Sequence, residues 1–221
     1  MCFSATASFG ASAVLMGGGI VAIKRTQSGS QIPFAVLPLL FSAQQCSEGF
    51  VWLSLTKQDF SSWNAIATYV FVVFAQVLWP TLVPFSIWLM EKDSKRKKIL
   101  ASFIWVGLLV SVYMIYGLLY YDLKSYINGP HIHYDLSVPG LFLYGSFFYF
   151  IATVPPSFFS TEGRMNVFGS LILGSLLISK LFFHDNVVSV WCFFAAIISL
   201  MIIIIVRAPQ TNDVPLPVAK V

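Results

Sequence analysis

The chain has 221 residues, of which 57% are hydrophobic and 10% are charged, with a mean hydropathy of +0.81 and a formal net charge of +4. About a quarter of the residues in a soluble domain are charged, so this composition excludes an ordinary soluble enzyme or binding domain. Three scattered cysteines exclude a disulfide framework, and the small positive charge gives no reason to expect a nucleic-acid partner.

Seven apolar runs are each long enough to cross the hydrocarbon core of a bilayer, which takes about 20 residues in a helix. The runs cover residues 4–23, 33–55, 63–90, 99–120, 139–158, 165–183 and 187–206. They are continuously apolar, whereas the strands of a membrane barrel alternate in polarity. The sequence therefore predicts an all-α integral membrane protein. We expect a seven-transmembrane-helix bundle over residues 1–207 and a disordered cytoplasmic tail over residues 208–221.

Basic residues in the predicted loops indicate the orientation of the chain. On one side of the membrane the predicted loops and helix ends carry Lys24, Arg25, Lys92, Lys95, Arg96, Lys97, Lys98, Arg164, Arg207 and Lys220. On the other side they carry Lys57, Lys124 and Lys180. Cytoplasmic loops carry the excess of Lys and Arg, so we expect the N-terminus outside and the C-terminus in the cytoplasm. The lipid bilayer is the partner that this pattern predicts directly.

The first and third runs carry features that predict how the helices pack. In the first, Ser4, Ser8 and Ser12 recur every four residues, and such spacing of small side chains lets helices approach closely in lipid. In the third, Pro80 and Pro84 each remove a backbone donor. We therefore expect a kink whose freed carbonyls are satisfied by neighbouring helices.

The second run, with the sequence LLFSAQQCSEGFVWLSL at residues 39–55, carries polar side chains in its middle. At 100° per residue, Gln44, Gln45, Glu48 and Trp52 share one face of a helix, which we expect to point into the bundle. An ionisable residue inside a membrane favours a functional role, so Glu48 is a candidate charge or proton-binding site. The alternative is that it hydrogen-bonds the glutamines and only holds helices together.

Polar and aromatic residues of the other runs fall at a similar depth, mostly in the outer half of the membrane. Together with Glu48 they predict an outward-facing pocket that would bind a small molecule or an ion. Its expected lining is Gln44, Gln45, Trp52, Gln76, Trp79, Tyr113, Tyr116, Tyr144, Lys180 and Trp191.

The longest outer loop, residues 121–138, contains an Asn-Gly-Pro turn and two of the three histidines. Imidazoles with a carboxylate are typical ligands of zinc and other transition metals, and the candidates are His131, His133 and His184. A metal above Glu48 would activate water, which would make the protein a membrane-embedded hydrolase. The alternative is that these histidines are simply exposed loop residues.

Four motifs are spread over most of the chain. They are the opening MCFSATASF and the segments IPFAVLPLLFSAQQCSEGFVWL, FAQVLWP and SVWCFFAAIIS. They resemble a family of bacterial multi-pass membrane proteins whose members begin Met-Cys-Phe-Ser and carry Gln-Gln-x-x-Glu-Gly-x-x-Trp in the second helix. The resemblance implies a bacterial inner-membrane location and supports a site around Glu48, without assigning a reaction. It also draws attention to Cys2, which would lie near the pocket mouth as a metal or redox group, or as part of a packed plug.

Three functions stay open at this point. The sequence contains no HExxH, GxSxG, P-loop or GxGxxG motif, which favours a protein that is not an enzyme. The leading hypothesis is binding or transport of a small molecule or ion through the pocket centred on Glu48. The alternatives are the metal-dependent membrane hydrolase and a structural subunit of a membrane complex.

Overall fold

The computed structural model describes residues 4–136, 138 and 145–207 of the chain. Three sequence predictions fall outside these residues, namely those for Cys2, for Tyr144 and for the tail over residues 208–221. Within the described residues the chain is mostly helical, and the helices pack around a large apolar core.

The helices and strands follow one another in a simple order. The helices are α1 (Ala5–Lys24), α2 (Ile32–Ala35), α3 (Leu37–Thr56), α4 (Asn64–Val72), α5 (Trp79–Met90), α6 (Ser94–Tyr120), α7 (Ser146–Thr153), α8 (Gly163–Phe182), α9 (Val187–Ser199) and α10 (Ile202–Arg207). A segment of π-helix, Val73–Leu78, joins α4 to α5 and is called the π segment below. Two strands, β1 (Leu123–Asn128) and β2 (His131–Leu136), follow α6.

Five helical stretches in the described residues are long and apolar enough to cross a membrane. They are Ala5–Lys24, Gln58–Met90, Ser94–Tyr120, Gly163–Phe182 and His184–Arg207. Helix α3 is long enough but not apolar enough, because its glutamines and glutamate lower its mean hydropathy. The stretch Ser146–Phe159 is apolar but shorter than a membrane span. The structure therefore supports a helical membrane protein with five candidate spans, and the count of seven stays a prediction.

Small side chains bring α1 and α3 into close contact. Ser12 and Ser42 exchange hydrogen bonds, since each hydroxyl donates to the other residue's carbonyl at 2.9 and 2.8 Å. A methyl group added to Gly19 would lie 2.6 Å from the side chain of Leu39, and Ser8 is fully buried. The close packing that the serine spacing predicted for the first helix is confirmed.

The prolines of the third run produce the expected interruption. In a π-helix each N–H pairs with the carbonyl five residues earlier, and Pro80 has no N–H to offer Ala75. The hydroxyl of Tyr149 donates to the Ala75 carbonyl at 2.7 Å, and the hydroxyl of Ser111 donates to the Val77 carbonyl at 2.6 Å. Tyr149 of α7 thus satisfies the carbonyl that Pro80 leaves without a donor, as predicted, and Ser111 of α6 adds a second contact to the π segment.

The predicted outer loop is a β-hairpin, which corrects the all-α class. The register pairs Asn128 with His131 and leaves Gly129-Pro130 as a two-residue turn, with Gly129 at φ 59°. Proline fixes a negative φ at the second turn position, and this combination is typical of a type II′ turn that suits a hairpin. The hairpin lies over one end of the bundle, called the hairpin end below, where Tyr134 stacks on Phe71 with ring centroids 4.4 Å apart.

A buried carboxylate joins two loops at the opposite end of the bundle. Glu91 is 3% exposed and accepts hydrogen bonds from the backbone N–H groups of Lys92 and Asp93 and from both the N–H and the hydroxyl of Thr161. Asp93 caps the next helix, so α6 begins at Ser94 rather than at the predicted residue 99. Sequence analysis did not single out Glu91, because its partners are mostly backbone groups.

Candidate functional site

Gln44, Gln45 and Glu48 lie on α3 at the centre of the bundle, and all three side chains are fully buried. Helix α3 packs along α1 and also contacts α4 and α9. A carboxylate and two amides would be costly against lipid, and the helix avoids this cost by directing them toward its neighbours. The inward orientation predicted from helical spacing is confirmed.

Gln44 connects α3 to α5. The indole Nε1 of Trp79 donates a 2.8 Å hydrogen bond to Oε1 of Gln44, and the ring of Phe41 stacks on Trp79 with centroids 4.0 Å apart. The buried Nε2 of Gln44 has no hydrogen-bond partner among the described residues. Gln44 is therefore held by Trp79 through its oxygen, which links α3 to α5.

Glu48 is held by α9. The hydroxyl of Ser189, in the first turn of α9, donates a 2.6 Å hydrogen bond to Oε1 of Glu48. Cys192 follows one turn later and lies near the same carboxylate. Gln44, Glu48, Ser189 and Cys192 form what we call the central polar cluster. Because a hydroxyl both donates and accepts, Ser189 can serve either protonation state of Glu48.

Two tryptophans from the sequence prediction lie on different sides of this cluster. Trp52 packs with Ile132 of β2 beneath the hairpin, and Trp191 meets Tyr149 edge to face with centroids 5.6 Å apart. The indole N–H groups of Trp52 and Trp191 are buried and have no hydrogen-bond partner among the described residues. A buried donor without an acceptor is unfavourable, so each of these indole N–H groups lowers the stability of the fold.

Gln76 and Lys180 line a cavity of about 520 Å³ at the hairpin end. The cavity lies between the hairpin and helices α4, α8 and α9, and the π segment presents Gln76 to it. Its polar lining comprises Gln76, His133, Tyr134, Asp135, Ser146, Lys180, His184, Asp185, Asn186 and Ser189. We call this space the outer cavity. Ser189 belongs both to it and to the central polar cluster.

Two smaller cavities share lining residues with the outer cavity or with each other. The middle cavity, of about 90 Å³, shares Gln76 and Lys180 with the outer one and reaches Tyr149 and Trp191. The deep cavity, of about 50 Å³, shares Tyr149 and Trp191 with the middle one and extends to Trp79. Both include Cys192 in their lining.

The two tyrosines predicted from α6 take other positions. Tyr116 is 49% exposed, and its ring contacts Tyr120 on the same helix with centroids 4.7 Å apart. Tyr113 packs against the apolar core. Neither lines any of the three cavities described above.

The three histidines lie near one another at the hairpin end but do not converge. His131 is buried on β2 against the ring of Phe183, and burial lowers its pKa. His133 hydrogen-bonds the carbonyl of Asp185, while His184 is exposed and lies 3.3 Å from the Asp185 carboxylate. In the part of the chain that the structure describes, no three His, Cys, Asp or Glu side chains are grouped to hold a metal ion. The geometry gives the zinc hydrolase hypothesis no support.

Sequence analysis did not identify two residues that the structure places in the site, Ser189 and Tyr149. Ser189 is one of two serines in the apolar helix α9, and its position one turn before Cys192 was the available signal. Tyr149 gave no signal, because its role depends on a carbonyl freed in a helix 74 residues away. Cys192 is buried in the same region and lies near the carboxylate of Glu48.

Comparison with known protein families identifies one match over nearly the whole chain. Residues 1–215 match the model of a family of unknown function, DUF6629, and the chain belongs to this family. No curated protein and no solved structure matches it. The match shows a family of unknown function and assigns no activity, while the bacterial inner-membrane location and the motif of the second helix stay expectations.

Proposed function

We propose that this protein is a seven-helix membrane protein that binds or transports a small molecule or ion through the outer cavity, with Glu48 as its charged or proton-binding centre. The observation that carries this proposal is the position of Ser189, which lines the outer cavity and donates a hydrogen bond to Glu48. One side chain thus links a space of about 520 Å³ to a fully buried carboxylate.

The surroundings of the cavity agree with a binding role. Pockets for small ligands are mostly apolar with a few placed polar groups, and here Gln76 and Lys180 project from otherwise apolar helices. Gln76 lies in the π segment, a departure from regular helix that is frequent at functional sites. A purely structural role for Glu48 would not require a cavity at its hydrogen-bond partner Ser189.

The proposed orientation places the hairpin end outside the cell. Lys57 and Lys124 lie at this end, whereas the basic residues around Lys95 and Arg164 lie at the other. The positive-inside rule then makes the hairpin end external. In intact cells, a membrane-impermeant thiol reagent is expected to label a Lys57→Cys variant and to leave a Lys95→Cys variant unlabelled until the cells are broken. The reverse pattern would invert the proposed orientation.

The proposed role of Glu48 is tested by the thermal stability of the purified protein between pH 4 and pH 9. If Glu48 exchanges a proton or carries a charge in a responsive site, the wild type and Glu48→Gln will respond differently to pH. The exposed Asp59 lies at the same end and provides a matched control, so Asp59→Asn should follow the wild type. Parallel curves for wild type and Glu48→Gln would show that the charge has no role and would remove the centre of the proposal.

A further inference from the structure

The basic residues are concentrated at the end of the bundle opposite the hairpin. In the described residues this end carries Lys24, Arg25, Lys92, Lys95, Arg96, Lys97, Lys98, Arg164 and Arg207. Its acidic residues are Glu91, Asp93 and Glu162, and each of these carboxylates accepts a hydrogen bond from a backbone N–H group. The described part of this end therefore has a large excess of positive charge.

Five of these basic residues lie within residues 92–98, which we call the basic segment. The Glu91 carboxylate accepts hydrogen bonds from the N–H groups of Lys92 and Asp93 at 2.9 and 2.8 Å. The Asp93 carboxylate in turn accepts one from the N–H of Arg96 at 2.8 Å and caps α6. The backbone of the basic segment is thus held in place, which lowers the entropic cost of binding a partner there.

The charges of the basic segment repel one another and the end of the helix on which they lie. Apart from its cap Asp93, the first turn of α6 has no acidic residue, although a helix N-terminus favours anions. Lys95 and Lys98 are three residues apart, a spacing at which like charges are destabilising. Among the described residues the structure has one ion pair, His184 with Asp185, and it lies at the hairpin end. An anion that offsets this repulsion has to come from outside the described residues.

Two cations of the basic segment are already engaged within the protein. Nη1 of Arg96 donates a 2.8 Å hydrogen bond to a carbonyl of the loop before α8. Nζ of Lys97 lies 4.5 Å from the ring centroid of Trp88, in a cation–π contact. Lys95 and Lys98 are exposed, and their ammonium groups form no hydrogen bond or ion pair with a described residue. These two lysines are therefore free to bind an anion.

Lys95 and Lys98 share a face of α6 with an exposed apolar stripe. Trp105 follows Lys98 by seven residues, or two helical turns, and Leu109 and Val112 continue the same face. The three apolar side chains are 69%, 71% and 63% exposed. This face presents cations at the helix end and a lipid-facing apolar surface beyond them, which matches the anionic head and the acyl chain of a phospholipid.

We propose that this face of α6 binds an anionic phospholipid, with the head phosphate at Lys95 and Lys98 and an acyl chain along Trp105, Leu109 and Val112. Charge complementarity selects this partner, because basic clusters beside a membrane helix attract anionic lipids. The inference concerns the outer surface of the bundle and does not depend on the proposed function of the outer cavity.

The test uses the purified full-length protein in nanodiscs, with the fluorescence of Trp105 as the reporter of the lipid on this face. Trp105 lies roughly 10 Å from Lys98 along the helix, so bromine atoms placed midway along an acyl chain come near its ring. Brominated phosphatidylglycerol is mixed into phosphatidylcholine, and brominated phosphatidylcholine into phosphatidylglycerol. The quenching that disappears in Trp105→Phe is the contribution of this position. We expect phosphatidylglycerol to be preferred at least ~5-fold, the effect of about one lysine near an anionic lipid surface.

Matched variants show whether the two lysines carry the preference. Lys95→Gln/Lys98→Gln should lose it, whereas Lys95→Arg/Lys98→Arg should keep it because the charges remain. Lys24→Gln/Arg25→Gln removes the same amount of charge from the end of α1 and should behave like the wild type. Thermal unfolding of each variant near the wild-type temperature shows that a loss of preference is not a loss of folding.

Three results would overturn the assignment. Equal quenching of Trp105 by the two lipids, or an unchanged preference in Lys95→Gln/Lys98→Gln, would show that no anionic lipid is bound at these lysines. An equal loss of preference in Lys24→Gln/Arg25→Gln would show a diffuse effect of charge without a site on α6. Displacement of phosphatidylglycerol by inorganic phosphate would indicate a site for a soluble anion instead of a lipid.

Discussion

Ser189 and Glu48 are 141 residues apart in the chain, yet the serine hydroxyl donates a 2.6 Å hydrogen bond to the glutamate inside the bundle. The bond joins α3 to α9, and both side chains are fully buried. A buried acceptor that loses its donor keeps its desolvation cost, so this contact should matter for stability as well as for the site.

Replacement of Ser189 by alanine should lower the free energy of unfolding by about 1–3 kcal/mol, the cost of removing a donor from a buried acceptor. In a Glu48→Met background the same replacement should cost clearly less, because the acceptor is gone. Denaturant unfolding of the four proteins in mixed micelles measures the difference.

Ser199 provides the control for this cycle. It is buried on the same helix, and its hydroxyl donates to the Ala196 carbonyl within that helix. Ser199→Ala should therefore change stability by no more than about 0.5 kcal/mol. If Ser189→Ala were as mild as Ser199→Ala, the contact with Glu48 would not be a stabilising one.

Gly107 is expected to be one of the least tolerant positions in the protein. A methyl group there would lie 1.9 Å from the carbonyl oxygen of Pro80 and 2.5 Å from its carbon. Both atoms belong to the backbone, so no side-chain rotation can relieve the overlap, and Gly107→Ala should cost about 3 kcal/mol or more. Gly174 in α8 has open space around it, and Gly174→Ala should be neutral or up to about 1 kcal/mol stabilising. Similar thermal unfolding of the two variants would contradict the close approach of α5 and α6.

The sequence predicts what depends on neighbouring residues of the same helix. The spacing of Gln44 and Glu48 determines that they share a face, and the cost of exposing them to lipid determines that this face is buried. Proline chemistry likewise predicts the interruption at Pro80. These features follow from local geometry, so no knowledge of the other helices was needed.

Contacts between distant helices could not be predicted in the same way. Nothing near Ser189 indicates that it meets Glu48 rather than another residue, because the rotation of α9 depends on the packing of the whole bundle. For Tyr116 the same limit made a prediction fail. Its depth in the membrane suggested a pocket residue, but the side chain lies on the exposed face of α6. The hairpin was missed because its strands are only six residues long, although the Gly129-Pro130 turn was a usable signal.

Tyr149→Phe tests how the π segment is stabilised. The variant removes the donor of the Ala75 carbonyl, which Pro80 cannot satisfy, so it should lose about 1–2 kcal/mol of stability. Pro80→Ala restores a backbone N–H close to that carbonyl, and in this background Tyr149→Phe should cost less. Denaturant titration of the two single variants and the double variant gives the coupling. Strict additivity would mean that Tyr149 does not replace the missing proline donor.

Acidification should weaken the hairpin end through His131. Its pKa is lowered from the ordinary value of 6.5 because the ring is buried on β2. Below about pH 6.5 the unfolded chain binds a proton at this position that the folded protein does not, so stability falls as the pH decreases from 6.5 toward the folded pKa. Above pH 6.5 both states are neutral at this position, and the effect disappears.

The stability of the wild type relative to His131→Gln, measured between pH 5 and pH 8, isolates this contribution from other titrating groups. The difference should shift against the wild type on the acidic side of pH 6.5 and stay constant on the basic side. His184 is exposed at the same end and lies in no comparable environment, so His184→Gln should leave the acid dependence in place. A constant difference between wild type and His131→Gln across the whole range would show that His131 titrates alike in the folded and unfolded protein, contrary to its burial against Phe183.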